Sequence, residues 1–422
     1  MSPRPHLSRL TLTGTLALAC TLATPLSSHA DEPAQPEYAL TLLQPAEGHT
    51  VAAANGINDR GDVTGLTRPA KAAQPQQAAL WNAGTDQAIA LPQLEGSRFG
   101  RGFDVSATGT VAGEAFNSGG SSIPAAWTKD SITALPSVSP KGTGVAVDIA
   151  ETGRVLGVAH DGTMGVAYLL DGATATTLTA PTPDEGTLTG YRAAAISPNG
   201  QWVAGVSWVD VPHGDHSHKE SLLTVWQDGA PTVWEPESHG PGIKAVNIQD
   251  SGLVVGSVTS GQHTRAATWA EGTLTTLADP AIDGFPHVSA TAGNADGVIV
   301  GTASKFEGNS SFGGAAVIWR GGAPADLNTL TTLPEGVSLQ DARDINASGQ
   351  IVGTARTTTG TVGYVLTPVR QPAPAPSPTP SAAPSTMPST TPSVTPSGTP
   401  SASTVAPSPS APARPGLPST GR

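Results

Sequence analysis

Ile57-Asn58-Asp59-Arg60-Gly61-Asp62-Val63-Thr64-Gly65 decides the fold, because the stretch comes back. Val105-Ser106-Ala107-Thr108-Gly109-Thr110-Val111-Ala112-Gly113 has the same form. The pattern, Ile/Val-polar-x-x-Gly-x-Val-x-Gly, returns at 149–157, 196–205 (one residue longer), 248–256, 294–301 and 345–353. The first glycines of the copies, at 61, 109, 153, 200, 252, 297 and 349, lie 44 to 52 residues apart. Seven copies at that period mark a repeat architecture, in which one supersecondary unit buries its faces only by stacking on others.

Each copy continues alike. After the second glycine comes an apolar run ending in Trp: Trp81, Trp127, Trp226, Trp269 and Trp319, with Leu169 read into the same place in the third unit. Five of the eight tryptophans thus serve one position, which argues that they pack between units. A tight turn follows, as in Gln227-Asp228-Gly229, and then a short run ending at Leu91, Leu135, Leu178, Val233, Leu277 or Leu327. The residues before the motif, such as Val145 to Ile149, alternate as a strand does. The unit reads strand, tight turn, strand, loop, strand, tight turn, strand. Asn-x-x-Gly suits a turn closed by a glycine in the left-handed region. A second glycine inside a strand marks close backbone approach.

Seven such units stacked radially make an all-β, seven-bladed propeller of four-stranded blades, the closed alternative to an open solenoid. The last unit ends near Tyr364 to Val369 without a fourth strand, while Tyr38 to Leu43 is a strand with no unit before it. The N-terminal strand is therefore expected to complete blade seven. These motifs resemble the extracellular HAF-repeat family of bacteria over Tyr38 to Val369. The resemblance implies secretion and a propeller-like architecture, but no shared reaction or catalytic set. The sixth copy departs most, with Gly293-Asn294 in place of an Ile-polar pair.

The flanks point outside the cell. Arg4 and Arg9 precede the apolar run Leu10 to Leu22, and Ser28-His29-Ala30 offers small residues for cleavage, so 1–30 reads as a secretory signal. The mature chain is expected to begin at Asp31 and to carry no transmembrane helix. The only cysteine, Cys20, lies in this segment; lipidation there is the alternative, with Ala17 and Leu18 in reversed order for it. From 371 to 422 the chain turns to Pro, Ser, Thr and Ala, with no acidic residue. Such a segment cannot bury a core and reads as a disordered, polyproline-like linker. It closes on Leu417-Pro418-Ser419-Thr420-Gly421, which resembles the sortase sorting signal of Gram-positive surface proteins. Only Arg422 follows, where the signal normally continues into an apolar helix and basic residues. Attachment to the cell wall and release into the medium both stay open. The domain reading is 1–30, 31–370 and 371–422.

The formal net charge of -12 argues against nucleic acid as a partner, since nothing here would release its counterions. There is no G-x-S-x-G, H-E-x-x-H, P-loop or dinucleotide fingerprint, hence no expected cofactor. One loop carries His213, Asp215, His216 and His218 ahead of Glu220. Neutral imidazoles so spaced suit zinc or copper, and His216 and His218 share a side if extended. Asp104, Asp148 and Asp344, with Asn247, recur just before the repeat's Ile/Val. They read as acids bonded to local backbone, the alternative being a cation site or acid–base pair in the channel. The Asp/Asn/Gly turns do not repeat a calcium loop.

Two functions fit. The first is a secreted or cell-surface adhesion-type module binding an extracellular glycan or protein. The second is a propeller enzyme, a lyase or hydrolase acting on extracellular polysaccharide or lactone. Length varies mainly between the second glycine and the Trp position, at 16, 14, 12, 21, 13, 18 and 13 residues. In a meander blade these loops share one face with the blade-to-blade connections. Variable loops on a fixed scaffold are where binding concentrates. Phe99, Phe116, Tyr191, Trp208, Phe285, Phe306 and Phe312 are the aromatics expected on that face.

Overall fold

A computed structural model describes residues 37–70, 76–97, 99–161, 164–214, 216–234, 242–261, 263–307 and 310–369. The segments read as export signal and linker, with the motif at 417–421, lie outside these. Twenty-eight strands among the described residues form seven antiparallel four-stranded sheets, with no helix. Six sheets are consecutive meanders; blade one, for example, is His49–Ile57, Val63–Pro69, Gln77–Trp81 and Ile89–Ala90. The seventh takes three strands from the C-terminal end and its outermost, Tyr38–Leu42, from the N-terminal end. Its inner strand Ser338–Ile345 lies against the inner strand of blade one, so the ring closes. The fold is a seven-bladed β-propeller.

The repeat motif explains each blade. All seven first glycines have positive φ, from 74° at Gly297 to 88° at Gly61 and Gly153, so each turn ends in the left-handed region that disfavours a Cβ. At the second glycine the limit is steric: a Cβ on Gly65 would lie 1.9 Å from the Ala53 carbonyl oxygen. The close approach arises because every inner strand carries a β-bulge just before the turn. The extra residue is Asn55, Phe103, Val147, Ala194, Val246, Thr291 or Arg343 in blades one to seven. A bulge re-aims the side chains that follow it.

The core is a set of apolar layers between blades. Ala78, Leu80 and Leu91 of blade one pack with Val105, Val111, Ala125 and Trp127 of blade two. Trp81, Trp127, Trp226 and Trp319 are fully buried in these seams. Their indole N–H groups donate to the carbonyls of Gln44, Pro92, Thr179 and Ala278, at 2.8–2.9 Å. Each acceptor lies just past the preceding blade's fourth strand. Gln44 lies just past the N-terminal strand, which therefore occupies a fourth strand's place. Burying one indole is worth roughly 4–6 kcal/mol at about 25 cal/mol/Å², against about 1 kcal/mol net for its hydrogen bond. Packing fixes the position, and the bond fixes the orientation.

Two register assignments shift by a residue. Val155 pairs with Leu170 as Val63 pairs with Trp81, so Leu170, not Leu169, holds the tryptophan position in blade three. In blade four, Trp234 pairs with Leu223 where Leu91 meets Ala78, so Trp234, not Val233, ends the fourth strand.

Candidate functional site

The bulges aim a set of side chains into the axial channel. A cavity of about 530 Å³ opens there, lined from all seven blades. Its wall includes the turn residues Asp59, Glu151, Pro198, Asp250, Ala295 and Ala347, so it lies at the tight-turn mouth. Asp104, Asp148 and Asp344, each directly after its bulge, line it, with Asn247 in the same place in blade five. Carboxyls from blades two, three and seven thus meet in one channel.

Their oxygens already have partners. Asp344 accepts the N–H of Ile345 at 2.8 Å on Oδ1, and that of Ile57 in blade one at 2.9 Å on Oδ2. Asp148 repeats this, accepting from Ile149 at 2.9 Å and from Ile196 in blade four at 2.8 Å. Asp104 finds the amide of Ile149 already taken by Asp148. It accepts from Val105 and meets the Asp148 carboxyl itself. Two carboxyls in hydrogen-bond contact need a proton between them. Burial pushes Asp104 well above the ordinary carboxylate range, and the charges of Asp148 and Asp344 push it further. Burial raises Asp344 to about 7 and raises Asp148, in both cases against the pull of the amides they accept from. The acids bridge seams between blades, as a structural role requires.

A second set of polar side chains forms an arc one residue on, and its signal in the sequence is easily passed over. The residue at the motif's second position is an amide in four blades. Asn58 donates to Ser106 O at 2.8 Å, Asn346 to Asn58 O at 2.9 Å, and Asn294 to Asn346 O at 3.1 Å. Gln249 donates to Gly293 O. Each bond runs from one blade to the next, from five through six and seven to one and two. Beyond it, Asp59 accepts the Ala347 N–H at 2.8 Å, and Glu151 accepts the Asp59 N–H at 3.0 Å. Burial raises the Glu151 carboxyl. Arg343, a bulge residue, donates to Ala54 O and Asn55 Oδ1 and pairs with Asp341 at 3.2 Å.

The opposite face carries the long loops. In blade four the hairpin of Trp202–His213 and His216–Gln227 extends past its neighbours. Val209, Val211 and Leu222 bury one another in a small cluster of its own. Trp208, 39% exposed, stands on this arm. Blade six has a similar arm, Ile299–Glu307 and Ser310–Arg320. The other expected aromatics differ in setting. Phe99 and Phe116 form a half-buried edge-to-face pair, centroids 4.9 Å apart. Tyr191 lies in the seam between blades three and four, its hydroxyl donating to Leu178 O at 3.3 Å. Phe285 packs half-buried on the seam between blades five and six. The side chains of Phe306 and Phe312 lie outside the described residues.

The histidine loop is the tip of the blade-four arm. The register pairs His213 with His216 and Val211 with His218, which puts His216, His218 and Glu220 on one side. His218 Nε2 lies 2.7 Å from Glu220 Oε1. Asp215 and the side chain of His213 lie outside the described residues. Among the described residues, no group of three or more His, Cys, Asp or Glu side chains is disposed to hold a metal ion. No helix among them is long and apolar enough to cross a membrane.

No protein-family model matches the chain, and no curated protein matches it. Solved structures do. The β-propeller domain of the Trilobed protease from Pyrococcus furiosus is 11% identical with a TM-score of 0.49, over 75% of this chain and 94% of that one. TolB from Acinetobacter baumannii is 12% identical with a TM-score of 0.36, over 82% and 86%. A lectin from Aleuria aurantia is 12% identical with a TM-score of 0.32, over 80% and 99%. At such identities and TM-scores nothing about this chain is argued from the likeness.

Proposed function

We propose that this chain is an exported, non-enzymatic binding propeller that holds an extracellular glycan or protein on the face of its long loops. The observation that carries this reading is the division of labour between the two faces. At the tight-turn mouth, Asp148 and Asp344 each commit both oxygens to backbone amides, and Asp104 is tied to Asp148. A general acid and base need lone pairs and protons directed at substrate. On the other face, a hairpin with its own apolar cluster presents Trp208, a ring suited to stacking on a sugar or anchoring a partner. The signal-like residues 1–30 and the sorting-like motif at 417–421 support an address outside the membrane, on the wall or in the medium.

The test is to probe arrays of glycans and extracellular proteins with labelled full-length protein, and to follow captured polysaccharides and lactones for turnover. Retention without turnover is expected. Consumption of a captured polysaccharide or lactone, lost on Asp104→Asn, would establish the enzymatic reading instead. For the address, release by muramidase but not by detergent is expected of wall attachment, whereas recovery wholly from medium means free secretion.

A further inference from the structure

We propose that blade seven is a mechanical clasp, built so that a pull on the chain beyond Val369 is resisted in shear by two strand ladders at once. The strand that leads into the Pro/Ser/Thr-rich segment is Gly360–Pro368, the third of four in its sheet. It is paired on both sides. Seven register pairs, Ile351↔Leu366 to Thr357↔Gly360, join it to the second strand. Five more, Tyr38↔Pro368 to Leu42↔Tyr364, join it to the N-terminal strand. Its side chains add a hold of their own: Tyr364 and Leu366 are fully buried, and the Tyr364 hydroxyl donates to Asp341 O at 2.7 Å.

Direction makes this a clasp. The strand runs from the long-loop face to the tight-turn face and leaves the sheet there, beside Asn294, Ser348 and Gly349. A pull outward from Val369 therefore acts along the strand, so its ladder bonds bear load together. An edge strand pulled across its axis gives them up one at a time. Closing the ring with the N-terminal strand puts the weak edge position on the other end of the chain.

That edge strand is itself fastened from both neighbouring blades. Arg320 of blade six donates to the Glu37 carboxylate and to the Tyr38 hydroxyl, the latter at 3.0 Å. Its guanidinium sits 5.3 Å from the centre of the Tyr38 ring, a cation–π contact. The Glu37 and Tyr38 amides donate to Leu330 O, and Val369 N donates to Glu37 O at 2.8 Å. On the blade-one side, Trp81 donates to Gln44 O. Whatever the C-terminal segment is fixed to, load from a ligand on the opposite face crosses the ring and ends on this strand. The clasp is a property of the ring and does not depend on the ligand.

Single-molecule force measurement decides it. The full chain carrying Cys20→Ser and Ser118→Cys is held by the thiol introduced at position 118, on the long-loop side of blade two, and pulled through either end. Rupture through the C-terminal end is expected at about twice the force needed through the N-terminal end, since two ladders are sheared rather than one. Arg320→Ala is expected to lower both values, because it frees the N-terminal strand that supplies the second ladder. Rupture through the C-terminal end at an equal or lower force overturns the clasp, as does a C-terminal value untouched by Arg320→Ala.

Discussion

Asp344 Oδ2 accepts the backbone N–H of Ile57 at 2.9 Å, so a side chain at the end of the repeat array grips the last amide of the first blade's inner strand. The residues are 287 apart in sequence and adjacent across the seam where the ring closes. Burial holds the Asp344 carboxyl at about 7. The unfolded carboxyl titrates in the ordinary aspartate range, at about 3.9. The folded state thus keeps a proton that the unfolded state has lost over the intervening pH range. The stability this contributes is complete below the unfolded value and fades as pH rises through the folded one. Asp104 and Asp148 shift in the same direction. The thermal midpoint should therefore fall as pH rises from about 5 to about 8. Asp344→Asn should flatten that slope in scanning calorimetry; a slope unchanged by it would mean that other groups set it.

Closure makes a second prediction. Leu43 is fully buried in the seam between blades seven and one, and its N–H bonds Gly363 O as Leu91 N–H bonds Ala78 O. Leu43→Ala should cost about 2–5 kcal/mol, the usual range for a large-to-small core change. Urea unfolding checks it. A midpoint equal to that of the native chain would show that the N-terminal strand is dispensable.

The amide relay predicts a third. Asn58 and Asn346 are buried, and each spans a seam with one side-chain N–H. Removing either side chain takes one of two donors from a buried carbonyl, which keeps its own turn glycine's N–H, and strips the turn amides of the Oδ1 they donate to, at about 1–3 kcal/mol. Asn58→Ala and Asn346→Ala should each lower stability by that much, and together by more or less than the sum, because Asn346 donates to the carbonyl of Asn58 itself. Strict additivity in a double-mutant cycle would argue against a connected relay.

What the sequence discloses follows from what recurs. The glycines of the turns, the tryptophans of the seams and the orphan strand at Tyr38 are legible because geometry repeats them around the ring. Where the landmark is missing, register slips: Tyr168-Leu169-Leu170 is apolar throughout, and without a Trp the period of two cannot choose between neighbours. The bulges leave no mark in the sequence, since their extra residues range from Ala194 to Arg343 and share no side-chain chemistry. The channel acids are recognisable as structural, but the amide relay beside them is not. Its signal, Asn or Gln at the motif's second position, appears in only four of seven copies, and in one of these it follows Gly293 instead of Ile. Loop aromatics are harder still, because exposure depends on the neighbouring blade; Tyr191 points into a seam while Trp208 stands clear.

The reading of function turns on which face binds, and one comparison addresses it. Trp208→Ala and Asp344→Asn are each tested beside the native chain against whichever glycan or protein the native chain captures from an array. Thermal midpoints are measured in parallel to confirm that both fold. Retention should fall at least about tenfold with Trp208→Ala, the loss of one well-packed aromatic anchor, and should be unchanged with Asp344→Asn. Full retention by Trp208→Ala together with loss by folded Asp344→Asn would place the ligand at the tight-turn mouth of the channel and contradict the account.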